Sequence, residues 1–198
     1  MEYHPRVIWM LTVREVPPLL LEALEGEPRL TFPDSPRGAG MAGTSGAGKS
    51  FAMVRHLAAR AQAILARHPD PDHALWPSRS VVWAGWVQKS EELKRWVAAG
   101  HHEALENWIE AAKTCGCLYL DDLGRERLTG PDDYALGLLR EVLDHRHGHR
   151  LPVCWTCNLS AVELVEKWND PALVGRLVEA WPPVRVKGAN LRLGGRAS

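Results

Sequence analysis

The chain has 198 residues, which is enough for one sizeable α/β domain and too few for two comfortable ones. Its hydrophobic content of 45% and charged content of 24% are ordinary for a globular protein, and its formal net charge of zero favours no acidic or basic partner. The apolar runs are far shorter than a membrane span, and the N-terminus lacks the order of a signal peptide. We therefore expect a cytoplasmic protein that makes no membrane contact.

The first 36 residues show no pattern of a domain of their own. "RVIWMLTVR" is compatible with a strand, "VPPLLLEALEG" predicts a short helix that ends at Gly26, and "PRLTFP" is extended between two prolines. We therefore divide the chain into a short N-terminal segment, residues 1–36, and one domain, residues 37–198.

The next stretch, "GAGMAGTSGAGKSF", contains the pattern of a phosphate-binding loop. Its glycines let the backbone turn so that consecutive N–H groups face a phosphate, and a helix beginning at Lys49 directs its positive end there. Lys49 adds a positive charge over the β- and γ-phosphates, and Ser50 offers a hydroxyl to Mg²⁺. The residues assigned to nucleotide binding are Gly43, Thr44, Ser45, Gly46, Ala47, Gly48, Lys49, Ser50 and Phe51.

The residues that precede this loop are unusually small for the strand that normally feeds it. Small residues lower β-propensity, so a glycine-rich turn without a ligand is the alternative interpretation. We interpret residues 38–42 as a short central strand packed tightly between its neighbours, and we predict that it is buried in the sheet.

Downstream, apolar strands alternate with amphipathic helices. Strands are predicted at residues 80–86, 117–124 and 151–158, and helices at 49–68, 90–99, 103–113, 131–147, 161–168 and 171–179; "PVRVKG" and "NLRL" predict two short strands at the end. This alternation predicts a parallel sheet covered by helices on both faces.

Polar side chains end two of these strands, at the edge where open parallel sheets bind ligands. Asp121 would hold Mg²⁺, directly or through water, and Asp122 would orient and help deprotonate an attacking water; a solvated turn is the alternative. Asn158 would hydrogen-bond the γ-phosphate or that water. Alternatively, Asn158 or Ser160 caps the helix that follows.

The four cysteines, Cys115, Cys117, Cys154 and Cys157, have spacings that also occur in zinc sites. They lie in or beside apolar strands, so we expect small buried thiols rather than zinc ligands or disulfides.

Taken together, "GTSGAGKS", "LYLDDLG" and "LLREVLDHRHGHRLPVCWTCNLSAVELVEKW…VGRLVEAWPPVRVKGANLR" resemble the AAA+ ATPases of the DnaC-type helicase loaders and the IstB-type transposition helpers, over roughly residues 37–192. The resemblance implies a P-loop NTPase fold with a five-stranded parallel sheet, and ATP and Mg²⁺ as ligands. It implies assembly into rings or spirals, in which Arg176 reaches a neighbour's nucleotide in trans. Lys49, Asp122, Asn158 and Arg176 are then the catalytic residues. Two departures are a short segment before the loop and no helical lid after Arg176.

The resemblance further implies a helicase loader that couples ATP binding and hydrolysis to self-assembly, a replicative helicase and single-stranded DNA. A transposition helper ATPase, a small metabolite kinase whose Arg125 and Arg127 close over the phosphates, and a protein that binds ATP without turnover are the alternatives. Two basic clusters are candidate DNA contacts, or else a solvated tail and a helix end: Arg176, Arg185, Lys187, Arg192 and Arg196, and His145–Arg150. Within the second cluster, Arg146 is also a candidate for a subunit interface near ATP.

Overall fold

A computed structural model describes residues 3–13, 16–25, 28–67, 81–130 and 133–187. Five strands form one sheet: β1 (Gly38–Gly43), β2 (Val81–Gly85), β3 (Cys117–Leu123), β4 (Val153–Cys157) and β5 (Pro183–Val186). The sheet has the order β2-β3-β4-β1-β5, and every neighbouring pair is parallel. The predicted parallel α/β fold is therefore confirmed.

The helices of the described residues lie on both faces of this sheet. They are α1 (Pro5–Val13), α2 (Pro18–Leu21), α3 (Lys49–Arg67), α4 (Trp86–Ala99), α5 (His102–Thr114), α6 (Tyr134–Gly148), α7 (Ala161–Trp168) and α8 (Pro171–Ala180), with a single 3₁₀ turn at Glu22–Leu24. One apolar core joins the sheet to α4–α8, and a second joins it to α1 and α3. Side chains that alternate along the strands supply both cores, as expected for a sheet buried on both faces.

Residues 6–13 of the stretch "RVIWMLTVR" lie in helix α1, so the interpretation of this stretch as a strand is wrong. Pro5 begins α1, where its missing N–H costs no hydrogen bond. Val7, Met10 and Leu11, which are spaced three and four residues apart, are buried in the same core as α3. Periodicity in so short an apolar run does not separate the two structures, and packing against α3 decides for the helix.

Most other boundaries agree with the predictions to within a few residues. Helix α6 begins at Tyr134 because Asp133 is its N-cap and accepts a hydrogen bond from the N–H of Leu136. The second predicted terminal strand, "NLRL", and the question of a lid lie outside the described residues, which end at Lys187. No helix in the described part of the chain is long and apolar enough to span a membrane.

The four cysteines are buried free thiols, as predicted. Cys117 on β3 and Cys154 on β4 have their sulfur atoms 3.8 Å apart, within the core that contains α3. Burial raises the pKa of Cys157 to about 11, so this thiol is neutral at physiological pH. The thiols therefore act as small apolar core residues.

Strand β1 lies between β4 and β5, and residues 38–41 are buried. The prediction of a central, buried strand of small residues is confirmed. A β-carbon on Gly40 would lie 2.3 Å from the indole ring of Trp155, which is itself buried on β4. Gly40 is therefore small because the neighbouring indole occupies the space above it, and the bulk missing from β1 is supplied by Trp155.

We expect the substitution Gly40→Ala to destabilise the fold by about 1–3 kcal/mol, because the added methyl group overpacks against a ring that cannot leave the core. Urea unfolding followed by circular dichroism measures this change. Gly137→Ala is the matched control, since a β-carbon on Gly137 in α6 meets nothing within 4 Å. Alanine in this helix is expected to stabilise by about 0.5–1 kcal/mol. Equal stability of Gly40→Ala and the wild type would contradict the packing argument.

Candidate functional site

The glycine-rich loop connects the end of β1 to the first turn of α3. Gly43, Gly46 and Gly48 all have positive φ, at 137°, 76° and 93°, which residues with a side chain rarely adopt. Helix α3 begins immediately afterwards, at Lys49. The loop thus places the N-terminus of a 19-residue helix at the carboxyl edge of the sheet, as the predicted anion site requires.

Lys49 is buried, and its ammonium group is held inside the loop. Nζ donates hydrogen bonds to the carbonyl oxygens of Gly43 (2.9 Å) and Thr44 (2.8 Å) and to Oδ1 of Asn158 (2.7 Å). These three acceptors match the three protons of the ammonium group. The side chain is therefore fixed between the loop and the end of β4.

An irregularity in β3 brings the two aspartates into one site. Three steps along β3, from Leu120 to Leu123, match only two steps along β4, so Asp121 and Asp122 together face Thr156. Asp122 has a φ of 65°, the left-handed conformation that is uncommon for a residue with a side chain. In a regular strand the two carboxylates would point to opposite faces, whereas a bulge re-aims them.

Asp121 is buried and joins the loop to β4. Its Oδ1 accepts hydrogen bonds from Ser50 Oγ (2.8 Å) and Thr156 Oγ1 (2.6 Å). Burial raises the pKa of Asp121, although the bonds from Thr156 and Ser50 oppose the shift. A carboxylate and a hydroxyl are the oxygen ligands that Mg²⁺ prefers, and a cation beside them would offset the cost of the buried charge. Ser50 and Asp121 therefore fit a magnesium ion.

Asp122 is less buried and is held from three directions. Its N–H donates to Thr156 Oγ1 (2.9 Å), while its carboxylate accepts from Asn158 Nδ2 at Oδ1 (2.7 Å) and from Arg125 at Oδ2 (2.7 Å). Because Asn158 also accepts from Lys49, its amide connects the loop lysine to the second carboxylate. The geometry thus unites Lys49, Asn158 and Asp122 as the sequence predicts.

Asn158 and Ser160 have separate roles. Ser160 is the N-cap of α7, and it forms a capping box with Glu163, whose side chain accepts from the Ser160 N–H at 2.7 Å. Of the two candidate caps, Ser160 is therefore confirmed and Asn158 is not, and the side chain of Asn158 bonds Lys49 and Asp122 instead.

Two predicted residues lie outside this hydrogen-bonded cluster. Arg176 on α8 forms an ion pair with Asp144 on α6. Phe51, in the first turn of α3, is 38% exposed. Neither residue contacts the cluster of Lys49, Asp121, Asp122 and Asn158 through a hydrogen bond that the structure describes, so their predicted roles depend on a ligand or a neighbouring subunit.

The proposed role of Arg146 at a subunit interface is wrong. Its side chain is fully buried, and Nη1 and Nη2 donate to the backbone carbonyls of Ala112 (2.8 Å), Cys115 (3.0 Å) and Pro152 (2.7 Å). The guanidinium group thus caps the C-terminal end of α5 and joins it to the start of β4. This group is unavailable for DNA or ATP.

The other basic cluster lies partly beside the loop. Arg185 and Lys187 are exposed and line a cavity of about 390 Å³, together with Thr44, Asn158 and Ser160. Arg192 and Arg196 lie outside the described residues. A larger cavity of about 630 Å³, between α3 and residues 28–34, contains none of the predicted site residues.

Sequence reasoning missed three members of the site and its support. The hydroxyl of Thr156 bonds both the N–H of Asp122 and the carboxylate of Asp121. A single threonine in the otherwise apolar strand "VCWTC" is the sequence feature that could have indicated this role. Arg125 was considered only for the alternative of a metabolite kinase, whereas in the structure it pairs with Asp122. Glu126 is buried and accepts from the Gly124 N–H (2.8 Å) and Trp168 Nε1 (2.5 Å), a contact 42 residues along the chain that no local pattern indicates.

Several solved structures share this fold. The DnaC helicase loader aligns with a TM-score of 0.57 and 17% identity, over 94% of this chain and 93% of DnaC. DnaI aligns with a TM-score of 0.52 and 20% identity, over 92% of this chain and 82% of DnaI. AMPPCP-bound DnaA from Aquifex aeolicus aligns with a TM-score of 0.51 and 17% identity, over 87% of this chain and 45% of DnaA.

No protein-family model and no curated protein matches the sequence. At these identities the likeness to solved structures concerns the fold. The chain therefore has the α/β fold of the DnaC, DnaI and DnaA structures, which confirms the fold that the resemblance implies.

Proposed function

We propose that this protein is an ATPase of the helicase-loader type. The observation that carries the proposal is the connected cluster in which Lys49 bonds Asn158, Asn158 bonds Asp122, and Ser50 bonds Asp121. Each of these side chains lies at the carboxyl edge of the sheet, beside the start of a helix. We assign the ATPase to residues 37–198 and regard residues 1–36 as a segment that packs onto it through α1.

The arrangement supports hydrolysis of a phosphoanhydride bond. Lys49 and the loop N–H groups would bind the β- and γ-phosphates, and Ser50 and Asp121 would hold Mg²⁺, which supplies charge neutralisation when bound. Asp122 is the carboxylate suited to orient water and accept its proton, because it is closer to solvent than Asp121. Asn158 positions Asp122 and reaches toward the loop.

The proposed biological role rests on the structural neighbours. DnaC is a helicase loader and DnaI shares its fold, so we propose a replicative helicase and single-stranded DNA as partners. Arg176 would act in trans on a neighbour's nucleotide, as the family resemblance implies, which would couple hydrolysis to assembly. A transposition helper would share this domain and differ in its partner.

We expect Asp122→Asn to lower ATP turnover by at least about 100-fold, because a general base contributes roughly 10²- to 10⁴-fold. Nucleotide affinity should change little, since the amide that replaces the carboxylate still accepts a hydrogen bond from Asn158. Phosphate release under saturating ATP measures turnover, and fluorescent-nucleotide titration measures affinity.

Asp34→Asn is the control for Asp122→Asn, since the Asp34 side chain is 97% exposed and lies outside the site. Equal turnover in Asp122→Asn and the wild type would reject the hydrolytic role. It would favour a protein that binds ATP as a nucleotide-dependent clamp.

A further inference from the structure

The carboxylate of Asp122 has both of its oxygens engaged by donors of its own chain. Oδ1 accepts from Asn158 Nδ2, and Oδ2 accepts from Arg125 Nη1, each at 2.7 Å. A general base must direct one oxygen at the water whose proton it takes. Each carboxylate oxygen can accept a second hydrogen bond, but in the arrangement that the structure shows a water must share either oxygen of Asp122 with a donor of the protein.

The two donors differ in how they connect to the nucleotide loop. Asn158 also accepts from Lys49 Nζ at 2.7 Å, so a phosphate that draws the ammonium toward itself also changes the contacts of Asn158. Arg125 follows β3 and bonds the other carboxylate oxygen, Oδ2, across only three positions of the chain, and no hydrogen bond that the structure describes joins it to Lys49 or Asn158. Nucleotide binding at Lys49 therefore does not by itself displace Arg125.

The backbone that presents Arg125 is anchored on both sides. Buried Glu126 accepts from the N–H of Gly124 and from Nε1 of Trp168. Lys94 donates to the carbonyl oxygen of Arg127 at 2.6 Å, and its ammonium lies 3.0 Å from Asp133. The side chain of Arg125, by contrast, is 52% exposed. The contact between Arg125 and Asp122 can therefore open by movement of the exposed Arg125 side chain alone, while the backbone that carries it stays in place.

We propose that Arg125 is a latch that holds Asp122 in a resting state and lowers basal ATP turnover. The proposal rests on the function proposed above and adds a regulatory residue to the same site. Release of the guanidinium frees Oδ2 to accept a proton from water, while Asn158 continues to position Oδ1. An exposed ion pair of this kind contributes little energy, so the effect is a severalfold one rather than an on–off switch.

The test compares Arg125→Ala with Arg127→Ala at saturating ATP and in the absence of any partner. Arg127 is the matched control because it is an exposed arginine on the same anchored segment. We expect Arg125→Ala to raise kcat by about two- to fivefold with KM unchanged, and Arg127→Ala to leave both parameters close to wild type. Arg125→Lys, which keeps a positive charge, should restore most of the low basal rate.

Ionic strength gives a second readout that a loss of structure would not reproduce. Raising salt from about 0.05 M to about 0.5 M screens an exposed ion pair, so the ratio of kcat between Arg125→Ala and the wild type should fall toward one. Thermal unfolding of each variant establishes that the fold is retained.

An unchanged kcat in Arg125→Ala would contradict the proposed role of Arg125. A lower kcat would contradict it as well, because it would show that Arg125 assists catalysis. Failure of the underlying function has a different signature. In that case Asp122→Asn would turn over ATP as fast as the wild type. If only the proposed role of Arg125 is wrong, Asp122→Asn still shows the expected loss of turnover.

Discussion

Replacing Lys49 with alanine is expected to weaken ATP binding by about 10- to 100-fold and to abolish measurable hydrolysis. The ammonium group is a positive charge fixed inside the loop, and a hydrogen bond to a charged group contributes roughly 1.5–3 kcal/mol. The ammonium group donates to two loop carbonyls and to the amide of Asn158, and these contacts hold it where a bound phosphate would accept from it. Loss of Lys49 also removes one of the contacts that orient Asn158 toward Asp122.

Calorimetric titration with ATP and Mg²⁺ measures the affinity of the Lys49 variant. Lys113→Ala is the control, since this lysine pairs with Glu141 on the surface at 2.5 Å and lies outside the site. Wild-type affinity and turnover in Lys49→Ala would mean that the glycine-rich loop is a structural turn and that any nucleotide binds elsewhere.

The second large effect concerns stability: Arg146→Met is expected to lower the free energy of unfolding by at least about 3 kcal/mol. The substitution keeps an apolar stem of similar length but leaves the buried carbonyl of Cys115 without a donor and that of Ala112 with only the weak bond from the Cys115 thiol. The carbonyl of Pro152 loses one of its two donors and keeps the N–H of Leu118. Each buried acceptor left unsatisfied costs about 1–3 kcal/mol. For a domain of this size, the loss corresponds to a decrease in Tm of roughly 6–12 °C.

Calorimetric melting and urea unfolding measure the effect of Arg146→Met. Arg95→Met, on the exposed face of α4, is the control and should change stability by no more than about 0.5 kcal/mol. If Arg146→Met unfolded at the wild-type temperature, the guanidinium would contribute nothing net. Replacement of buried charges by apolar groups has that outcome in some proteins.

Much of the site could be predicted because its chemistry follows the chain locally. The loop from Gly43 to Ser50 is contiguous, Asp121 and Asp122 lie among the last three residues of β3, and Asn158 directly follows β4. In a parallel sheet such ends share one edge, so the sequence alone places these side chains together. The fold class followed from the same alternation of strands and helices.

The errors arose where tertiary packing decides. The apolar run in α1 fits a strand as well as a helix until its contact with α3 is known. Arg146 stands in a run of histidines and arginines that is typical of a basic surface, yet the position of its side chain is set by the end of α5, more than 30 residues earlier. The bulge at Asp121 and Asp122 depends on pairing with Thr156, which no local pattern contains.

The small residues of β1 show how a local rule is overridden by a neighbour. Glycine weakens an isolated strand, and the intrinsic preference argued against a strand before the loop. Trp155, on the adjacent strand, fills the volume above Gly40 and donates its Nε1 hydrogen to the carbonyl of Trp181 at 2.9 Å. The low propensity of β1 is thus offset by packing that becomes visible only in the folded sheet.

The most direct test of the proposed function is size-exclusion chromatography with light scattering, run with ATP, with ADP, and with single-stranded DNA added to each. We expect assemblies larger than a monomer with ATP and DNA together, and monomers with ADP. Arg176→Ala should impair hydrolysis within the assembly, whereas Lys49→Ala should not assemble. A mass that is the same under every nucleotide and DNA condition would contradict a loader-type ATPase.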